Sequence, residues 1–274
     1  MQKPTIGFIG AGNMALSLIG GILEQNAGYK VIACDPSLEQ LDRIKTSFDR
    51  PEELSTSQDN SAVEEADVIV LAVKPQILKS VAESIQAHIK AGGLVISLAP
   101  GITIDSLQTW VGQVAIVRCM PNTPSLIHRG AAGLFANPMV SEEQKRLTEQ
   151  LFSAVGISCW VPDESQIDLV TAVSGSGPAY FFLFTQYLAE VAQEMGLEKS
   201  LAEKLSRQTL LGAGELASRS LQDLAELRRN VTSPGGTTEA AIKRFQSDDL
   251  KTVVKNAMVD CAARADEMSK EFGE

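Results

Sequence analysis

The chain predicts an α/β fold, a doubly wound N-terminal sheet followed by an all-α C-terminal domain, and three observations carry that prediction. Over the first part of the chain, up to Val161, short β-branched runs alternate with helical periodicity, the pattern of a parallel sheet with helices on both faces. Two of the runs, Asp67–Ala72 and Leu94–Leu98, are continuously apolar, as strands buried on both faces must be. After Pro162 the strand-like runs stop and only helical periodicity remains.

In chain order, Thr5–Ile9 reads as a strand, Gly10-Ala11-Gly12 as a turn and Met14–Glu24 as a helix. Strands follow at Lys30–Cys34, Asp67–Ala72, Leu94–Leu98, Val114–Arg118, Ala131–Phe135 and Ile157–Val161. Helices are expected at Ile167–Val173, Ala179–Met195, Leu201–Ala217, Leu221–Asn230, Thr238–Phe245 and Asp249–Phe272, punctuated by Gly196, Pro234 and Gly235-Gly236. Ser200 and Glu203 have the spacing of a capping box. The change of pattern places a domain boundary near residue 163, giving domains 1–163 and 164–274. The helix from Ala179 carries Tyr180, Phe181, Phe182, Phe184 and Tyr187 on nearly every face, so it must be buried all round. A domain of about 110 residues has little interior to surround it, so the helix is expected to pack against a second subunit; the alternative is the central helix of a monomer.

Composition narrows the class. The 274 residues carry 24 Lys and Arg against 34 Asp and Glu, a formal net charge of −10, and the densest basic stretch is Arg228-Arg229. Nucleic acid and anionic membranes are therefore not expected partners. No uninterrupted apolar stretch reaches the ~18 residues of a transmembrane helix, and the N-terminus lacks signal-peptide anatomy. Cys34, Cys119, Cys159 and Cys261 are isolated, and the only histidines are His88 and His128, so neither a disulfide framework nor a metal site is expected. The expectation is a cytoplasmic, metal-free protein.

The sharpest motif is Gly10-Ala11-Gly12-Asn13-Met14-Ala15, which follows a strand and opens a helix. In that setting it reads as the Rossmann-type dinucleotide fingerprint: a tight turn at Gly10, close approach of the diphosphate at Gly12, and a small residue for helix–strand packing at Ala15. Asp35, at the end of the second strand, is placed to accept a ribose 2′-hydroxyl and to repel a 2′-phosphate, which argues for NAD; it reads equally as a cap on the next helix, with Pro36 at the first position. Ala72-Val73-Lys74-Pro75 and Met120-Pro121-Asn122-Thr123-Pro124 end later strands, where ligands sit in such sheets. Lys74 is a candidate for nucleotide contact or catalysis, against a plain solvated lysine.

Two glycine-rich turns precede helices in the second half, Ser174–Pro178 and Ser233–Thr238. Backbone N–H groups at a helix start, flanked by hydroxyls, suit a carboxylate or phosphate. Ser176, Ser233, Gly235, Gly236, Thr237 and Thr238 are the candidates for substrate binding; the plain alternative is close helix packing. These loops offer hydroxyls and backbone but no His, Lys or Tyr as a strong proton donor, which fits reduction of a basic C=N better than of a C=O.

Across essentially its whole length the chain resembles the pyrroline-5-carboxylate reductase family, through I-G-F-I-G-A-G-N-M-A (6–15), L-A-V-K-P (71–75), M-P-N-T-P (120–124), S-G-S-G-P-A-Y (174–180) and S-P-G-G-T-T (233–238). The resemblance implies reduction of 1-pyrroline-5-carboxylate to L-proline with NADPH or NADH. It implies that the fingerprint turn, Asn60, Ala72–Pro75 and the strand end Ser97, Leu98 and Ala99 hold the dinucleotide. It places the substrate carboxylate on the Ser233–Thr238 turn, with Thr238 near the ring nitrogen. It also implies a homodimer through the C-terminal helices, often assembled further, usually to decamers. Asp35 departs from the neutral residue common in the family and puts its usual NADPH preference in question. A β-hydroxyacid dehydrogenase would carry a lysine just after the 174–180 turn, where this chain has Ala179, Tyr180 and Phe181. A non-catalytic dinucleotide sensor is the alternative from a different class.

Overall fold

The computed structural model describes residues 3–25, 28–48, 50 and 52–273, so the outer limits of the two expected domains, residues 1 and 274, lie outside it. Among the described residues eight strands form one sheet: β1 (Thr5–Ile9), β2 (Lys30–Cys34), β3 (Leu54–Ser57), β4 (Val68–Leu71), β5 (Leu94–Ser97), β6 (Ala115–Met120), β7 (Gly130–Ala136) and β8 (Gly156–Trp160). Their order is β3-β2-β1-β4-β5-β6-β7-β8. The first six are parallel. The doubly wound sheet expected from sequence is present, with two differences. Strand β7 turns antiparallel to β6, and β8 runs parallel to β7, so the sheet is mixed at that end. Strand β3 adds an edge that sequence reading does not mark, because Leu-Ser-Thr-Ser has one buried residue and no apolar alternation.

The apolar runs are continuous because each central strand feeds two cores. Ile6, Phe8, Val68, Val70, Leu94 and Ile96 face one side, where α1 (Asn13–Glu24), α2 (Leu38–Ser47) and α5 (Glu142–Ser153) contribute Leu18, Ile19, Ile22, Leu41, Ile44 and Phe152. Ile9, Ile69, Leu71 and Val95 face the other, covered by Leu78, Ala82 and Ile85 of α3 (Pro75–Ile85) and by Leu107, Trp110 and Val111 of α4 (Ile104–Val111). Full burial of each large aliphatic or aromatic side chain contributes about 1.5–3 kcal/mol. Side chains close the helix starts: the hydroxyls of Ser37 and Thr103 accept N–H groups of α2 and α4, and Ser141 with Gln144 makes a capping box on α5.

Among the described residues one charged side chain is buried in this frame. Arg118, the polar residue of the β6 run Ala-Ile-Val-Arg-Cys-Met, has a side chain only 3% exposed and pairs with Glu164 at 3.1 Å and Asp168 at 2.9 Å. Glu164 also accepts the N–H of Ile104 at 2.8 Å, so the triad ties β6, α4 and α6 (Gln166–Val170) together.

Residues Thr171–Gly175 continue α6 as a π-helical turn, followed by α7 (Gly177–Glu194), α8 (Lys199–Arg219), α9 (Leu224–Asn230), α10 (Thr237–Ser247) and α11 (Leu250–Phe272). The start of α8 corrects the expected capping box: Glu198 is the cap, its carboxylate accepting the N–H groups of Ser200 and Leu201. A carboxylate two residues upstream reaches those donors before Ser200 can leave the helix to serve as cap.

The chain divides into two compact units, one reaching to Ser176 and resuming at Cys261, the other Gly177–Asp260. Helix α11 thus contributes its first half to the helical unit and its second half to the sheet unit. In the sheet unit Met268 packs at Gly101, Phe272 lies against the α3–α4 core, and the Ser106 hydroxyl donates to the Gly273 carbonyl at 2.9 Å.

Within the helical unit, α7 packs on α8, and the rings of Phe184 and Phe245 lie 6.0 Å apart. Much of its apolar surface is uncovered in the single chain: Phe181 is 63% exposed, Phe182 62% and Met195 81%, with Tyr187, Leu188 and Val191 also exposed. Among the described residues one helical run, Gln166–Glu194, is long and apolar enough on average to cross a membrane by length and composition, although Thr185 and Gln186 interrupt its apolar stretch.

Candidate functional site

The parallel strands bring most of the predicted nucleotide residues to one edge of the sheet unit. The carboxyl ends of β1, β2, β4, β5 and β6 lead into Gly10–Gly12, Asp35–Ser37, Ala72–Lys74, Leu98–Ala99 and Pro121–Asn122. Backbone bonds keep these exits in step: Gly10 N–H donates to Cys34 O at 2.8 Å, Ala72 N–H to Ile9 O at 2.8 Å and Leu98 N–H to Leu71 O at 3.0 Å. The strand order reverses direction across β1 and β4, which is where a doubly wound sheet opens a crevice for a ligand.

The two fingerprint glycines are there for different reasons. Gly10 has φ +96°, and a Cβ there would lie 2.6 Å from the Ala72 carbonyl oxygen. A Cβ on Gly12 would meet nothing within 4 Å. Gly12 caps α1 with extended backbone and no side-chain acceptor, so the N–H groups of the first turn, Asn13, Met14 and Ala15, have no side-chain cap at the positive end of the helix. A smooth backbone cradle backed by a helix terminus fits a nucleotide diphosphate.

Asp35 is not the helix cap. Ser37 takes that place, and both carboxylate oxygens of Asp35 accept backbone N–H groups: Oδ1 from Ser37 at 2.9 Å and Oδ2 from Ala11, in the glycine turn, at 2.8 Å. Asn60 opens a short 3-10 turn capped by Asp59, whose carboxyl sits below its usual range, chiefly through the N–H and hydroxyl of Ser61. Beside this edge, burial pushes the Cys34 thiol up to about 11, with Asp59 adding to the effect. Lys74 is exposed and stands at the start of α3, with Pro75 in the first helical position. Ser97, Leu98 and Ala99 are buried, so they offer backbone rather than side chains.

The motif after β6 is joined to the first glycine-rich motif. The Asn122 amide donates to Ser174 O at 3.0 Å and its carbonyl accepts Ala131 N–H at 2.9 Å, so Asn122 supplies a fixed turn rather than a free side chain. A Cβ on Gly175 would come within 2.5 Å of the Met120 methyl. The Ser174–Pro178 segment is therefore not an open turn: its backbone follows the π-helix, Ser176 N–H donates to Thr171 O at 2.8 Å, and the Cys261 thiol donates to the Ser176 hydroxyl at 3.3 Å. A π-helical turn lengthens the helix by one residue without breaking it, which the Gly-Ser-Gly sequence conceals.

The second turn lies in the helical unit. Gly235 has φ +72°, Gly236 caps α10 without a side-chain acceptor, and Ser233, Thr237 and Thr238 are exposed. Gly236 N–H donates to Ser233 O at 3.0 Å, which leaves the N–H groups of Thr237 and Thr238 at the open start of the helix. Glu239 folds back so that its carboxylate accepts Gly235 N–H at 2.6 Å while pairing with Lys243 at 3.0 Å. Its carboxyl lies below the usual range, first through Lys243 and then through Gly235 N–H. Sequence reading missed this residue and also Arg118; the one charge inside an apolar strand run was the available signal for Arg118, and none marked Glu239.

Known protein families match both the sheet part and the helical part of the chain. The family described as pyrroline-5-carboxylate reductase dimerisation matches residues 164–268, and that described as NADP oxidoreductase, coenzyme F420-dependent, matches residues 5–101. A pyrroline-5-carboxylate reductase of Pseudomonas aeruginosa is 47% identical over 277 residues, covering 100% of both chains. The solved structure of a pyrroline-5-carboxylate reductase from Coxiella burnetii superposes with a TM-score of 0.90 at 43% identity, covering 97% of this chain and 99% of that one. That of Plasmodium falciparum pyrroline carboxylate reductase with NADP bound gives 0.82 at 31% identity, covering 98% and 99%. With relatives matched from end to end, the chain belongs to the pyrroline-5-carboxylate reductase family, NAD(P)-dependent oxidoreductases that make proline from 1-pyrroline-5-carboxylate.

Proposed function

We propose that residues 1–163 bind the nicotinamide nucleotide and residues 164–274 bind the substrate and hold the subunits together, so that this chain carries out its family's reaction, reduction of 1-pyrroline-5-carboxylate to L-proline. The single observation that carries the assignment is the pairing of an open Gly12 cradle at the α1 terminus with an open N-terminus of α10 flanked by Thr237 and Thr238. The first suits a diphosphate and the second a carboxylate.

Gly10, Ala11, Gly12, Asn13, Met14 and Ala15 hold the diphosphate; Asp35 and Asn60 flank the ribose; Ala72, Val73, Lys74 and Pro75, Ser97, Leu98 and Ala99, and Met120, Pro121 and Asn122 form the rest of the nucleotide edge. When bound, the nicotinamide supplies the hydride. The protein supplies position and electrostatics. Backbone N–H groups of Thr237 and Thr238, on the turn shaped by Gly235 and Gly236, anchor the substrate carboxylate with the Ser233 hydroxyl. The Thr238 hydroxyl hydrogen-bonds the imine nitrogen, and Ser176 and Lys74 are the further polar groups assigned to the reacting end of the ligands.

The exposed apolar faces of α7 and α8 are the surface through which the chain forms its homo-oligomer, with a dimer as building block and a decamer as the larger assembly. The same reading makes the apolar run Gln166–Glu194 an interface helix rather than a membrane span. Four free cysteines, two of them buried, suit a reducing cytoplasm, and the net charge of −10 gives nucleic acid no purchase. The direct test is a steady-state assay of the purified protein with 1-pyrroline-5-carboxylate and each of NADPH and NADH. Nucleotide oxidation with stoichiometric proline formation is the expected result; absence of turnover with both overturns the assignment.

A further inference from the structure

The end of β2 makes a stronger statement about the nucleotide than the family assignment does. Asp35 is fixed at the nucleotide edge by two backbone donors on opposite sides, Ala11 N–H at 2.8 Å and Ser37 N–H at 2.9 Å. A carboxylate held this way cannot rotate aside, because turning it strands a donor of the glycine turn. It still has acceptor capacity: four lone-pair sites, of which two are used, leave room for ribose hydroxyls.

Its surroundings are acidic. Asp35 N–H donates to Ser57 O at 3.2 Å, so the ends of β2 and β3 lie side by side. Asp59 follows β3, held in its ionised form by Ser61, and Gln58 is spent on the Pro36 carbonyl. Neither segment 35–42 nor segment 52–66 contains a Lys or an Arg. A 2′-phosphate, carrying close to two negative charges at neutral pH, would lie against the Asp35 carboxylate with no Lys or Arg from either segment to pair with. A ribose 2′-hydroxyl would instead find a fixed acceptor.

We infer that this enzyme prefers NADH to NADPH, with Asp35 as the residue that determines the choice by being locked between the glycine turn and the start of α2. The inference rests on the nucleotide assignment above and goes beyond it, since a relative's structure was solved with NADP bound and one of the matched families is described as an NADP oxidoreductase.

The test separates binding from turnover. The full-length protein is titrated with NADH and with NADPH, following nucleotide fluorescence, and the kcat/KM values with 1-pyrroline-5-carboxylate are measured for both. The wild type is expected to bind NADH at least tenfold more tightly, and its kcat/KM ratio is expected to favour NADH by the same factor. In Asp35→Ser the preference should shrink to within threefold or invert. Asp35→Asn, which keeps an acceptor for Ala11 N–H while losing the charge, should do the same if the serine variant does not fold. Tighter binding of NADPH by the wild type, or an unchanged preference in Asp35→Asn, overturns the inference. Preference for NADH in the titration without turnover supports it while sinking the proposed reaction, and no binding of either nucleotide sinks both.

Discussion

Gly10 and Gly12 stand two residues apart in one turn, yet an added methyl should do different things at each. At Gly10 the backbone is left-handed and the methyl would sit 2.6 Å from the Ala72 carbonyl oxygen, so Gly10→Ala should destabilise the sheet unit by about 1–3 kcal/mol and lower the thermal midpoint. At Gly12 the φ of −73° suits alanine and the methyl meets nothing. Gly12→Ala should therefore leave the thermal midpoint within about a degree or two of wild type while raising the KM for the nucleotide at least tenfold. An unchanged nucleotide KM in this variant would show that the diphosphate does not lie on the turn. Thr238→Ala should lower kcat/KM roughly 10- to 100-fold, about 1.4–2.8 kcal/mol of lost transition-state stabilisation, with the nucleotide KM unmoved and most activity restored in Thr238→Ser. Wild-type activity in Thr238→Ala would remove the hydroxyl from the mechanism. At this scale the glycine turn was legible because its chemistry is local in sequence. The partner of Asp35 was not, because Ala11 lies 24 residues away and meets it only once β1 and β2 pair in register.

Among the elements, the strands that feed two cores were readable as continuous apolar runs, and their order of burial follows directly from alternation. What periodicity cannot encode is direction: β7 and β8 were expected as strands, but their reversal relative to β6 was not, and β3, whose polar residues sit at a sheet edge, was not expected at all. The Arg118 triad belongs at this level, since it fastens β6 to α4 and α6. Replacing Arg118 with leucine leaves Glu164 and Asp168 facing each other without their cation, and Ile104 N–H sharing an acceptor with an unpaired charge. Removing one partner of a buried ion pair costs about 3–5 kcal/mol. For a chain of this size that lowers the thermal midpoint by roughly 6–15 °C, measurable by scanning calorimetry. A midpoint within two degrees of wild type would mean that the triad is no stronger than an apolar packing of the same volume.

For the whole molecule, the aromatic helix was the legible sign: five aromatics on all faces of α7 needed more cover than one chain provides, and Phe181, Phe182 and Tyr187 are indeed uncovered in it. Light scattering of dilute protein should give a mass of at least two chains of 29.3 kDa, and a stable, active monomer would contradict the oligomer. Phe182→Glu is expected to yield aggregated or inactive protein, because the remaining apolar surface of α7 and α8 stays exposed. Less legible was how α11 is shared. Its periodicity is uniform from end to end, and nothing in it announces that residues from Cys261 onward belong with the sheet. That sharing bears on biogenesis. Residues made after the helical unit are the ones that finish the unit begun before it, since Met268, Phe272 and Gly273 fill the Gly101–Ser106 region. The nucleotide-binding unit therefore waits, incomplete, throughout synthesis of the helical one. A chain cut after Asp260 would keep an uncapped apolar patch on its sheet unit, a mark for proteolysis rather than a partly active enzyme.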